Sequence, residues 1–517
     1  MRSRTTVGRS PLVVLALLAM SCASARPPTA VVAAAPTPAS GEAEAPAGNG
    51  ALRAGVVSVR VTGQDWNWRV PWEKQQPWTR TVTGLVVPGK RILVASTAFG
   101  NPLLVEAQKL GSDARTVARV ELVDHEGPLA LVAVDDPAFW DGLAPLALEP
   151  RARSDGGVQV LRWQRTGLLD SYPGTLRQVR SGRHGLSQTS LLTIDVASSA
   201  EGLGESEVVV ANGRVAGLVT GRAGDTYAAI AAPVLAQFLA GAAQGDWRSF
   251  ARAGLAWQDL TNPALRESLG LAPAETGIRL TRVLAHGSAG GVLKPGDVVL
   301  ELGGAKLDPT GFYEHPLYGR MLFALLFFDG RRPGDTMPAK VLRDGQRLEL
   351  SLPLRAMRPE QDRVPPYLYG RGPDYVVEGG LVFQELTRPY LASWGGDWSR
   401  RAPPRLLVAV DREPDEASAE PHRIVLLSSV LPDTANLGYQ ELRDLIVERV
   451  NGRPVASLGD LRQAFAAASG FHVVEFLSGQ GAVRIVIDAA EAKAAGERLR
   501  RAYGVERLDS QANGSSP

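Results

Sequence analysis

The chain carries six histidines, His125, His184, His286, His315, His422 and His472, and a single cysteine, Cys22. That inventory narrows the available chemistry at once. No Cys/His cluster has the spacing of a zinc site, no H-E-x-x-H occurs, and no G-x-x-x-x-G-K-[ST] phosphate loop is present, so neither a metal nor any other cofactor is expected. Nucleophilic attack by a hydroxyl is one chemistry that these residues can be tested for. The stretch that could carry it is "DVASSAEGLGESEVVVANGRVAGLV", residues 195–219, where a Gly-rich turn bearing Ser206 precedes two β-branched runs joined through Asn212-Gly213. A serine attacks an amide only when a base takes its proton, a carboxylate orients that base and backbone N–H groups receive the oxyanion. "VDHEGPLA" offers His125 beside carboxylates, and "SGRHGLSQT" offers His184. A Ser-Lys pair would have to use Lys74, Lys90 or Lys109, none of which lies in a turn placed near the serine.

The elements that must position these groups are short. From Leu52 the runs "GVVSVRV", "TVTGLVV", "KRILVAS", "LALVAV", "GVQVLRW" and "SLLTIDV" lead into the stretch above. Runs of this length, separated by Gly, Pro and Asp, predict an all-β barrel domain rather than α/β units. A helix, "APVLAQFLAGAAQ", closes that domain near residue 244. Residues 250–356 give further strands, a hairpin at "RDGQ" and a helical run "GRMLFALLFF"; residues 357–376 form a Pro-rich linker. Residues 377–508 form a second mixed segment with the runs "GGLVFQEL", "RLLVAV", "HRIVLLSSVL" and "LIVERVNGRPV" and the helix "SLGDLRQAFAAAS". A length of 517 residues fits about three domains. The net charge of +2 comes from interspersed residues without a basic face, which argues against a nucleic-acid partner.

The N-terminus combines Arg2, Arg4 and Arg9 with an apolar run from Leu12 to Met20, too short to remain as a membrane span. "LAMSC" resembles a bacterial lipobox, although Ala19 stands where Leu is commonest. Residues 1–22 are therefore expected to be a lipoprotein signal peptide with Cys22 as the acylated residue, a role that suits the only cysteine of the chain. Residues 23–50, rich in Ala and Pro, bury nothing and read as a tether. Ala23 after the cysteine favours sorting to an outer membrane, so the expected location is the cell envelope, facing the periplasm.

The order of these parts resembles the HtrA/Deg family of serine proteases, closest to the plant Deg branch with two divergent PDZ domains. Carrying segments are "LVDHEGPLALVAVDDPAFWDGLAPLALE", "GLAWQDLTNPALRESLGL", "LKPGDVVLELGG" and "IVLLSSVLPDTANLGYQELRDLIVERVNGRPV". The resemblance implies a multidomain, mainly β protein: a trypsin-like double β-barrel over 51–245, then PDZ-like α+β domains over 250–356 and 377–508. It also implies where a catalytic triad would sit. The base position, T-N-A-H-V-V in active relatives, matches "ASTAFGN" with Thr97. The carboxylate position, D-L-A-[LI]-L, matches "GPLALVAV" with Pro128. The nucleophile position, G-N-S-G-G-P, falls between Leu203 and Glu205, at Gly204, with Ser206 as the only near candidate. Threonine and proline supply neither base nor acceptor near neutral pH, so no catalytic residue is expected. His125 is expected to be a surface or packing residue, as relatives carry a histidine there beside a true aspartate.

What the resemblance leaves is peptide binding. A PDZ domain adds a peptide to a strand edge and holds the terminal carboxylate on a loop of small residues. The matching loops are Ala253, Gly254, Leu255 and Ala256 in the first domain, and Gly379, Gly380, Leu381 and Val382 in the second. The second is equally consistent with a strand start whose groove is filled. The cluster "QDWNWRVPWEKQQPW", with Trp66, Trp68, Trp72 and Trp78, is expected to be either a lid on the barrel or an assembly interface. The expectation is thus an exported, lipid-anchored pseudoprotease that forms a homo-oligomer and binds protein C-termini or unfolded chains. The alternatives are an active serine endopeptidase with a rearranged site and a structural envelope protein without a peptide ligand.

Overall fold

The structure, a computed structural model, describes residues 49–511 except 154, 165, 205, 412–421, 468–469 and 478–483. The expected signal peptide, Cys22 and residues 23–48 of the tether lie outside the described residues.

Strands Val56–Gly63, Trp78–Val87, Arg91–Ala95, Pro102–Gln108, Arg115–Asp124 and Leu129–Ala133 close into one barrel. Strands Gly157–Trp163, Leu169–Gly182, Leu191–Ser198, Val208–Ala211, Arg214–Ala223 and Thr226–Ala231 close into a second with the same neighbour order, 1-2-3-6-5-4. Alternation builds the first barrel: Val57, Val59 and Val61 meet Ile92, Val94, Val105 and Val132 in a buried cluster. Gly84 permits that closure, since a Cβ there would lie 2.4 Å from Ile92 Cγ2. Asn212 and Gly213 take positive φ, 51° and 75°, as the tight hairpin between Val208–Ala211 and Arg214–Ala223 requires. Helix Ala232–Gln244 has the expected bounds, with Pro233 at its start and Gly245 in the left-handed region at its end.

Two further sheets follow. In the first, Leu255–Asp259 is an edge strand, next to Ile278–Val283, Val298–Leu302, Thr336–Arg343 and Gln346–Pro353. The run expected to be helical, "GRMLFALLFF", is instead strand Gly319–Leu322, paired with Phe312–His315, followed by one 3-10 turn, Phe323–Phe327. The reason lies in its composition: Phe323, Leu325, Leu326 and Phe327 are all buried, so no polar face exists for a surface helix. Phe323 packs on Trp257 and the turn plugs the core against the second barrel. In the second sheet the order is Tyr375–Glu378, Leu381–Glu385, Val425–Val430, Leu445–Val450, Phe471–Phe476 and Arg484–Asp488. Its first strand takes in Tyr375 and Val376 from the end of the linker. The run "RLLVAV" lies in helix Pro404–Asp411, where Leu406 is buried and Val408 exposed.

Candidate functional site

The fold brings the segments bearing Thr97, Pro128 and Ser206 together. Strand Arg91–Ala95 runs into a 3-10 turn, Ser96–Ala98, which holds Thr97, and the Ser96 N–H donates to the Pro128 carbonyl at 3.0 Å. Ser206 comes to the same place from the second barrel, its Oγ accepting the Ala95 N–H at 3.0 Å. None of the three brings an imidazole or a carboxylate. Thr97 Oγ1 is buried and finds no hydrogen-bond partner among the described residues. Pro128 offers only its carbonyl.

Ser206 is 0% exposed. Its hydroxyl donates to the Thr83 carbonyl at 2.8 Å, and its own N–H donates to the Val219 carbonyl at 2.7 Å. With its proton given to Thr83 and its lone pair to Ala95, this oxygen has no approach for a substrate carbonyl. It fastens one barrel to the other. The left-handed backbone at Ser206, φ 72°, is held by these three bonds. The neighbouring turn is closed too: the Gly204 N–H, of the kind that would polarise a substrate carbonyl, donates to Glu207 Oε2 at 3.1 Å. A carboxylate in that place repels a developing oxyanion instead of stabilising it.

Neither candidate base serves Ser206. His184 is buried, with Nδ1 2.5 Å from Thr220 Oγ1 and Nε2 2.8 Å from Thr193 Oγ1. Burial, helped by the charge of Arg180, pushes its pKa down to about 4. His125 is a packing residue, its ring centroid 3.9 Å from that of Tyr369 and 5.5 Å from that of Tyr367, and burial lowers its pKa to about 4. Both are neutral at pH 7, but neither ring reaches a serine hydroxyl.

The two loops expected to bind peptide differ. Gly254 precedes the edge strand Leu255–Asp259 with φ 69°, and its close approach to Gly287 leaves no room for a side chain: a Cβ would lie 2.7 Å from Gly287 Cα. Its carbonyl accepts from Leu284, and Ala253 accepts from Ala289, so the loop is pinned from behind while the strand edge stays open among the described residues. The second loop is not a free carboxylate cradle. Gly379 and Gly380, with φ 57° and 86°, form the tight turn of a hairpin that pairs Tyr375–Glu378 with Leu381–Glu385. Leu381 and Val382 are 0% exposed. The strand Tyr375–Glu378 therefore lies along the edge a peptide would use, and it packs against helix Leu458–Ala466 through Arg462, which bonds Asp374 and Asp509. The expected peptide-binding role of Gly379, Gly380, Leu381 and Val382 is corrected on this ground: the chain's own strand fills the groove.

A PDZ domain family matches residues 364–512. The mitochondrial Do-like protein 3 of Arabidopsis thaliana is 28% identical over 411 residues, 78% of this chain and 71% of that protein. The mitochondrial Do-like protein 12 of the same plant is 26% identical over 418 residues, 79% of this chain and 77% of that protein. With two like barrels followed by PDZ-type sheets, these matches place the chain. Over most of its length it is similar to Do-like proteases of the HtrA/Deg type. Among solved structures it is similar to "HtrA-type protease AlgW with decapeptide", at 18% identity and TM-score 0.46, over 60% of this chain and 99% of that one.

The chain has two further features that its sequence did not announce. One is a polar hub under the linker. Glu126 is 4% exposed and accepts from Thr189 Oγ1 at 2.7 Å, the Gln188 N–H at 3.1 Å and Tyr367 OH at 3.1 Å; Ser187 Oγ donates to its carbonyl at 2.7 Å. Together these bonds tie the first barrel, the second barrel and the linker at one carboxylate. Tyr369 lies over Gly100, three residues beyond Thr97, so the linker crosses the face where a substrate would approach. The other feature concerns the tryptophans. Trp78 belongs to the first barrel and donates to Asp65 at 2.8 Å, but Trp66 lies on Gly372, Trp72 meets Tyr375, and Trp68 packs in the cluster around Tyr390 and Leu406. Arg69 secures the loop: it bonds Asp444 at 2.9 Å and Ser393 at 2.8 Å, with its guanidinium 3.4 Å from the Trp394 ring centroid. The loop expected to be a barrel lid or assembly interface is a clamp on the second PDZ segment of the same chain.

Proposed function

We propose that this HtrA/Deg protein holds polypeptide without cutting it: a pseudoprotease whose double barrel is a scaffold and whose first PDZ domain takes extended peptides by strand addition. The observation that carries the proposal is the commitment of Ser206 Oγ to Ala95 and Thr83 inside a fully buried contact. The open edge of Leu255–Asp259, preceded by the Gly254 loop, supports the binding half. Export, acylation at Cys22, a place in the outer membrane facing the periplasm and assembly into homo-oligomers belong to the same proposal. They rest on the N-terminal sequence and on family resemblance.

Anisotropy titration of fluorescent peptides with free C-termini, drawn from a display library on the whole chain, tests the binding half. Gly254→Glu inserts a side chain against Gly287 and is expected to weaken those peptides by at least about tenfold, with amidated versions of the same peptides equally weak on the wild-type chain. Equal affinity for both chains, or no peptide recovered at all, supports instead a structural envelope protein.

A further inference from the structure

The Trp-bearing loop, the linker and the second PDZ sheet enclose a cavity of about 700 Å³ that takes no part in the function proposed above. It opens at the mouth of the filled groove, where Tyr375 begins the resident strand, Glu385 ends its neighbour and Ser457 caps helix Leu458–Ala466. A ligand here cannot be a terminal peptide lying in that groove, because the groove is occupied along its length by Tyr375–Glu378. Its walls are Trp66, Trp68, Trp72 and Tyr375, with guanidinium groups at the rim. Trp, Tyr and Arg together are the side chains that anchor protein partners, and a space of this volume admits a few side chains of one.

The charges decide which partner. Asp374 is engaged by Arg462, Ser510 and Gln511, while Glu385 faces Arg423 at 3.6 Å and accepts the Leu458 N–H at 3.5 Å. Those acids are neutralised within the chain. Arg371 and Arg507 line the cavity and are exposed, the charge of Arg371 acting on Glu385 and that of Arg507 on Tyr375. Among the described residues, Glu506 is the only exposed carboxylate lining the same space. Two exposed cations against one exposed anion, set beside aromatic walls, favour a chain that presents carboxylates next to large apolar side chains, and disfavour a basic one.

We propose that this cavity is a second polypeptide-docking site, separate from the edge of the first PDZ domain, for acidic segments bearing large apolar residues. The probe is a labelled decapeptide alternating Glu with Leu and Phe, amidated at its C-terminus so that a PDZ carboxylate loop gains nothing from it; its counterpart carries Lys in place of every Glu. Each is titrated by anisotropy onto the full chain, the Arg371→Glu/Arg507→Glu variant and the Gly254→Glu variant. Both arginines are exposed, so the double variant is expected to melt as the wild type does. The acidic peptide is expected to bind the wild type and the Gly254 variant alike and to lose about tenfold or more on the double variant, which should now prefer the Lys peptide. Equal binding to wild type and double variant, loss confined to Gly254→Glu, preference of the wild type for the Lys peptide, or no binding of the acidic peptide would each overturn the proposal. Because Gly254→Glu reports on the first PDZ domain alone, failure of this site and failure of the proposed function are read separately.

Discussion

Ser206→Ala is expected to cost the fold about 2–4 kcal/mol and to change no catalytic property. The substitution strips a buried N–H at Ala95 of its acceptor and a buried carbonyl at Thr83 of its donor, and each orphaned group costs about 1–3 kcal/mol. Both partners sit in the first barrel, so the loss falls on the contact between barrels. A nucleophile behaves in the opposite way, since its replacement by alanine removes activity and leaves stability intact or improved. Ser206→Gly adds a diagnostic: it loses the same bonds but relieves the left-handed backbone, worth about 1 kcal/mol, and should unfold at a denaturant midpoint above that of the alanine variant. Denaturant titrations followed by tryptophan fluorescence measure both. A midpoint for Ser206→Ala equal to that of the wild type would show that the hydroxyl fastens nothing.

Glu126→Leu is expected to be more damaging, by about 3–5 kcal/mol, because Thr189, Gln188 and Tyr367 all donate to one buried carboxylate and bonds to a charged acceptor are each worth about 1.5–3 kcal/mol. Glu126→Gln keeps an acceptor and should lose less. The local consequence separates this hub from ordinary core damage: with Tyr367 released, limited proteolysis should cut within residues 357–376 well before the barrels unfold. Cleavage elsewhere first, with residues 357–376 intact, would mean that Glu126 does not hold the linker.

The reach of the sequence ends where contacts become long-range. Helix Ala232–Gln244, the hairpin at Asn212-Gly213 and the turn at Asp344-Gly345 are written in local residue choice, and the structure keeps them. Thr97 and Pro128 could be placed from the sequence because each lies within two residues of a strand whose pattern fixes its position. Ser206 was not readable as a fastener, since its partners lie 111 and 123 residues away. The same holds for Glu126 and Tyr367, 241 residues apart, and for Arg69 and Asp444, 375 apart. Gly379-Gly380 shows a different limit: two glycines with positive φ serve a carboxylate loop and a hairpin turn equally well, and only the pairing of Tyr375–Glu378 decides between them. The run "MLFALLFF" misled because a short apolar segment without a polar face has no helical signature of its own.

A hydroxyl locked between two barrels, without an imidazole to take its proton, is expected to perform no acyl transfer. The most direct measurement is incubation of the purified chain with unfolded β-casein, followed by mass spectrometry of the products, with Ser206→Ala in parallel. No cleavage by either protein is predicted. Reproducible cleavage by the wild type that Ser206→Ala abolishes would contradict it.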